Sequence, residues 1–84
     1  MTDFSIIPLL QRFEEFAREG LEFSITFTNR GIVLEGVRYV MRRRLSVEWT
    51  VGWPELRIST TASHNLLRHA ERMAASLRRK EAML

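Results

Sequence analysis

Along the first third of the chain, apolar residues recur at helical spacing. Ile6, Leu9, Leu10, Phe13, Phe16 and Ala17 share one stripe, while Gln11, Glu15, Arg18 and Glu19 fall on the other side. This predicts a helix from about Ser5 to Glu19. Ser5 or Asp3 is a suitable N-cap, and Pro8 is tolerated only in the first turn. Gly20 supplies the residue that closes a helix in the left-handed region.

The period then drops to two. Leu21, Phe23, Ile25 and Phe27 alternate with Glu22, Ser24, Thr26 and Thr28, which predicts a half-buried first strand. Asn29-Arg30-Gly31 reads as a tight turn with Gly31 at positive φ. The next apolar set changes phase. Ile32 and Leu34 lie on one side, Val37, Tyr39 and Met41 on the other, and a bulge at Gly36 would return both sets to the core. Arg42-Arg43-Arg44 is expected to turn the chain again. Leu45, Val47, Trp49, Val51 and Trp53 against Ser46, Glu48 and Thr50 give a third strand, ended by Trp53-Pro54. Leu56 and Ile58 predict a short fourth strand. Ser59, Thr60, Thr61 and Ser63 then read as turn and cap residues.

From Ala62 onward, Leu66, Ala70, Met73, Leu77 and Leu84 recur at spacings of three, four and seven, so they form the buried stripe of a last helix. Arg68, Arg72 and Arg79 fall close together on its opposite side. Only Glu71 and Glu81 are on this helix to neutralise them.

One apolar face on the sheet and one stripe on each helix predict a single α+β domain over residues 1–84. It has two layers: an antiparallel meander of three to four strands, with both terminal helices on one face. Ser24, Thr26, Ser46, Glu48, Thr50, Arg57 and Ser59 should line the solvated face. The α-β-β-β-α order is similar to that of the double-stranded-RNA-binding domain. The similarity is one of order. Thr28-Asn29-Arg30-Gly31 stands where that family carries Gly-Pro-x-His, and Ser63-His64-Asn65 where it carries a lysine cluster.

Composition narrows the function. A chain of 84 residues buries only about 60–65 % of its unfolded surface, so a partner or a second copy would add needed stability. The absence of cysteine removes disulfides, thiolate metal sites and cysteine nucleophiles together, and fits a reducing compartment. The opening Met-Thr-Asp-Phe-Ser-Ile-Ile-Pro has no basic region before a long apolar run. No stretch approaches the ~20 apolar residues of a membrane span, so a cytoplasmic protein is expected. The net charge of +3 is uneven. Residues 1–41 hold six acids and four bases, residues 42–84 four acids and nine bases, and all the bases but Lys80 are arginine. Arginine suits bidentate contact with phosphate or carboxylate; a GC-rich genome gives the same bias.

Residues for catalysis are scarce. Asp3 is the sole aspartate. His64 and His69 are five apart, about 140° around a helix, and so cannot share a metal ion. There is no glycine-rich phosphate loop, and no nucleophile–base–acid set stands out. No enzyme activity, cofactor or metal is expected. Trp49 and Trp53 read as core, or alternatively as platforms for stacked bases. His64 reads as exposed, or as part of an anion site at the helix start. Arg78 sits nearer the core boundary and suits an ion pair with the acidic first helix.

The expected function is that of a small binding protein working through protein–protein contact as a homodimer. Its candidate binding residues are Arg68, Arg72, Arg79, Arg42, Arg43 and Arg44, facing an acidic protein. The first strand, rich in Thr and lacking Lys or Pro, is an open edge for self-pairing. The alternative is an RNA- or DNA-binding module using the same arginines. A third reading is a phage- or plasmid-borne inhibitor of a host protein.

Overall fold

The first helix carries a proline in its first turn and is closed by a glycine just beyond its end. The structure, a computed structural model, describes residues 6–58 and 62–84, and the side chains of these apart from 57, 58 and 62–64. Helix α1 spans Ile7–Arg18, with Pro8 in its first turn and Ile6 at the N-cap without a side-chain cap bond. The expected caps Asp3 and Ser5 lie outside the described residues, as do Ser59, Thr60 and Thr61. At the far end the Leu21 amide donates to the Phe16 carbonyl (2.9 Å) and the Gly20 amide to Ala17 (3.0 Å). With Gly20 at φ +88, this is a Schellman cap. A Cβ at Gly20 would also collide with the guanidinium of Arg38. The buried face is Leu9, Phe13 and Phe16. Leu10 and Ala17, expected in the stripe, are exposed, because a second helix covers only one flank of α1.

Three strands follow as an antiparallel meander in the order β1-β2-β3: β1 Glu22–Phe27, β2 Gly31–Val40 and β3 Arg43–Gly52. No bulge interrupts β2. Phe23 pairs with Gly36 and Gly36 with Val47, in step with every neighbouring pair. The phase change at Gly36 is therefore real. Ile32, Leu34 and Gly36 face the helices, whereas Val33, Glu35, Val37 and Tyr39 face the open side beside Ser24, Thr26, Ser46, Glu48 and Thr50. Gly36 serves close packing. A Cβ there would stand 2.9 Å from the Phe23 ring and 3.2 Å from Leu77 Cδ1, so its absence lets the last helix settle on the sheet. The straight register also turns Arg38 toward the helices. There it donates to both carboxylate oxygens of Glu81 (3.2 Å each) and to the Glu19 carbonyl (3.2 Å), tying the end of α1 to the end of the last helix.

Both hairpin turns differ from the expected chemistry. Gly31 does not adopt positive φ. Thr28 makes the first turn instead: its hydroxyl accepts from the Arg30 and Gly31 amides (3.2 and 3.1 Å) and donates to the Gly31 carbonyl (3.1 Å). Gly31 is required because a Cβ would strike the Val51 carbonyl of β3. The second turn is Met41-Arg42 alone, with Arg43 and Arg44 already in β3. Both turn residues have positive φ (51 and 68), the signature of a type I′ turn normally built from Asn-Gly. Holding two bulky residues there costs about 1–2 kcal/mol each. The double replacement Met41→Asn, Arg42→Gly is expected to stabilise the fold by about 1–2 kcal/mol after the glycine's extra unfolded-state entropy, raising Tm by several degrees. A thermal melt that falls or stays level would refute this.

The expected fourth strand is a helix. α2 spans Trp53–Ile58. Pro54 fits a first helical turn as well as it ends a strand, and two apolar residues two apart do not distinguish the periods. Helix α3, Ala62–Ala82, buries Leu66, Ala70, Met73, Ala74 and Leu77, and leaves Leu84 exposed beyond its end. Helices α1 and α3 pack side by side on one face of the sheet, over a core that includes Leu9, Phe16, Leu21, Ile32, Leu34, Leu66 and Leu77.

Candidate interaction surfaces

Arg68, Arg72 and Arg79 are all exposed, on the side of α3 away from the core. Both glutamates of α3 are held by arginines from elsewhere in the fold. Glu71 accepts from Arg12 of α1 (Nε 2.6 Å, Nη2 3.0 Å), and Glu81 accepts from Arg38 of β2. Arg78 pairs with Glu19 at 2.8 Å, the interhelix contact expected from its place at the core boundary. Among the described residues, Arg72 and Arg79 have no carboxylate partner.

The arginine triplet is divided by its place in the hairpin. Arg42 stands exposed in the turn, and Arg43 lines a shallow cleft with Met41 and Leu84 at the end of α3. Arg44 points to the open side of the sheet. There the Tyr39 hydroxyl and Glu35 (3.4 Å) favour its charged form, so it stands apart from the other two. Lys80, not singled out from the sequence, donates to the Ser46 carbonyl (3.0 Å).

The two tryptophans do not form one platform. Trp53 opens α2, stacks on Phe27 and donates from Nε1 to the Thr28 carbonyl (2.8 Å). Trp49 is half-buried against the core and stacks on His69 of α3, with ring centroids 3.8 Å apart and planes 15° from parallel. The His64 side chain lies outside the described set. His69 is held below its ordinary value of 6.5, by burial first and then by the charges of Arg72 and Arg68. Below pH 6.5 the unfolded chain therefore takes up more protons at this site than the folded one. The contribution of His69 is full above 6.5 and declines as pH falls from there toward its folded value. Between about pH 7 and pH 5.5 the urea midpoint of the parent should drop further than that of His69→Gln; equal drops would refute it.

The sheet has two unlike edges. On β1, the Thr28 amide donates to Gly31. By the antiparallel alternation, Glu22, Ser24 and Thr26 turn their backbone groups to β2, and Phe23, Ile25 and Phe27 turn theirs outward. No lysine or proline lies on this edge. On β3 the Lys80 side chain occupies an edge carbonyl. The flank of α1 above β1 is also uncovered. Ile7, Leu10 and Ala17 lie about 140–160° around the helix from Arg12, the residue that reaches α3. Ile7 is 62 % exposed, Leu10 44 % and Phe27 on the strand below 52 %. The sequence marked β1 as an open edge. It did not mark this flank, because Leu10 and Ala17 fit a buried stripe.

Among the described residues, no helix is long and apolar enough to cross a membrane, and no cluster of His, Cys, Asp or Glu has the makings of a metal site. No family model matches the chain, and neither a curated protein nor a solved structure matches it.

Proposed function

We propose that this protein is a non-enzymatic binding protein of the cytoplasm that works as a homodimer paired through β1. One observation carries the reading: the unguarded β1 edge is continuous with the exposed apolar strip of Ile7, Leu10 and Phe27. Pairing β1 with a second β1 about an axis at Ser24 sets Phe23 opposite the partner copy's position 25 in register. The outward N–H and C=O groups of Phe23 and Ile25 are then satisfied on both strands, and the sheet extends to six strands. The axis is perpendicular to the sheet, so all the longer helices stay on one side and both arginine rows face the same way. The strips from the two α1 helices meet over the join and add the apolar burial that a chain of this length needs. In this reading the join leaves both arginine rows open to a negatively charged partner.

Light scattering tests the dimer directly. Across tens of micromolar, the mass is expected to be that of two chains. A mass of one chain, unchanged on concentration, would remove the reading.

A further inference from the structure

We propose that the outer face of α3, together with the β2–β3 turn, binds the phosphate backbone of a nucleic-acid duplex. The first support is how the ion pairs are distributed. Arg12, Arg18, Arg38, Arg44 and Arg78 each hold a carboxylate. Arg30, Arg42, Arg43, Arg72 and Arg79 hold none among the described residues; Arg30 stands apart in the β1–β2 turn, and the other four gather on one side and one end of the molecule. Arg43 lies beside Leu84, which follows α3, and Arg79 is one turn earlier, its carbonyl accepting from the Met83 amide (3.2 Å). The four cations therefore follow one line, from the middle of α3 along its outer face to the hairpin turn.

Spacing and chemistry favour phosphate. Arg72 and Arg79 are seven residues apart on nearly the same azimuth, about 10 Å along the helix. Laid along the duplex axis, that reach spans about three base-pair steps at about 3.4 Å rise. Between them the outer face carries Ala75 and Ser76, with no large apolar side chain; the exposed apolar residues Met41, Met83 and Leu84 are confined to the far end of the row, beside Arg42 and Arg43. Protein interfaces draw their affinity from buried aromatic or aliphatic anchors. Binding to a phosphate backbone needs none, since released counterions supply the driving force. Guanidinium groups present forked donors that match phosphate oxygens in pairs. The surface offers nothing arranged to read base edges, so binding is independent of sequence. The row lies within one protomer and away from β1, and the proposal stands or falls apart from the dimer.

Anisotropy of labelled DNA and RNA duplexes of about 20 base pairs, at about 50 and about 200 mM salt, tests it. Four phosphate contacts predict a log–log salt slope of about −3.6, or about 150-fold weaker binding over that change. Arg72→Gln with Arg79→Gln is expected to leave the circular dichroism spectrum unchanged and to bring the slope to about −1.8. Arg18→Gln, on the far side of α1, leaves the slope as it was. If the double variant does not fold, Arg72→Gln alone decides, by a loss of about one unit of slope. A preference for one duplex identifies which nucleic acid is held; equal affinity assigns both. Failure to bind either duplex at the lower salt overturns the proposal, as does a slope that ignores Arg72 and Arg79. Displacement of the duplex by polyglutamate at equal charge concentration also overturns it, and returns the row to an acidic protein partner.

Discussion

Phe16→Ala is expected to unfold the protein or bring it close to unfolding. Phe16 is fully buried and stands where three parts of the fold meet. Its ring stacks on Phe23 of β1, with centroids 4.9 Å apart, and the Arg12 guanidinium lies 4.3 Å above it. Its carbonyl accepts the Leu21 and Glu19 amides that close α1. Phe13 stacks on the same Phe23 ring at 5.2 Å, so the three rings form one block between the helix and the edge strand. Truncating a buried phenylalanine costs about 3–5 kcal/mol, and an aromatic pair adds about 0.5–1.5 kcal/mol beyond area. A chain of this length has about 4–12 kcal/mol in all, at the usual 0.05–0.15 kcal/mol per residue. One substitution therefore removes about a quarter of the stability or more. Urea denaturation followed by tryptophan fluorescence should show the midpoint collapsing, while Phe16→Leu, which keeps most of the volume, retains a cooperative transition. A Phe16→Ala protein within about 1 kcal/mol of the parent would mean that the aromatic block is not what joins α1 to the sheet.

The long periodic segments were legible in the sequence because a single rhythm ran through each of them. Leu66, Ala70, Met73 and Leu77 placed the buried side of α3, and with it the exposed side carrying Arg72 and Arg79. Leu21, Phe23 and Ile25 placed β1, and Gly20 the end of α1. Errors gathered where two causes leave the same pattern. A bulge and a residue removed for close packing both put a glycine at a change of phase; at Gly36 the cause is the approach of Phe23 and Leu77, which only tertiary structure contains. A positive φ and a close backbone approach both select glycine; at Gly31 it is the approach of the Val51 carbonyl. The turn at Met41-Arg42 was hidden because neither residue is a usual type I′ former. Which arginines remain free was hidden too, since Glu71 and Glu81 lie on the same helix as the row but face Arg12 and Arg38, distant in sequence.

Ile25→Pro is expected to turn the proposed dimer into a monomer while keeping the β1–β2 ladder. The alternation points the Ile25 amide away from β2, so proline there removes an outward donor and leaves the Ser24–Glu35 and Thr26–Val33 pairs their bonds. Some stability is lost with the half-buried isoleucine side chain, so a second variant carries the argument without that cost. Leu10→Glu changes a side chain already 44 % exposed and sets two carboxylates against each other across the two-fold axis. Both variants should scatter as one chain at concentrations where the parent scatters as two. Both should also lose the rise of Tm with protein concentration that a dimer in mass-action equilibrium shows. Thr50→Pro makes the matching change on the other edge. Thr50 lies in the outward-facing set of β3 with Ser46, whose carbonyl is already occupied by Lys80, so this variant should remain dimeric. If Leu10→Glu and a folded Ile25→Pro stay dimeric while Thr50→Pro dissociates, the join is at β3. The exposed strip of Ile7, Leu10 and Phe27 then belongs to a different partner.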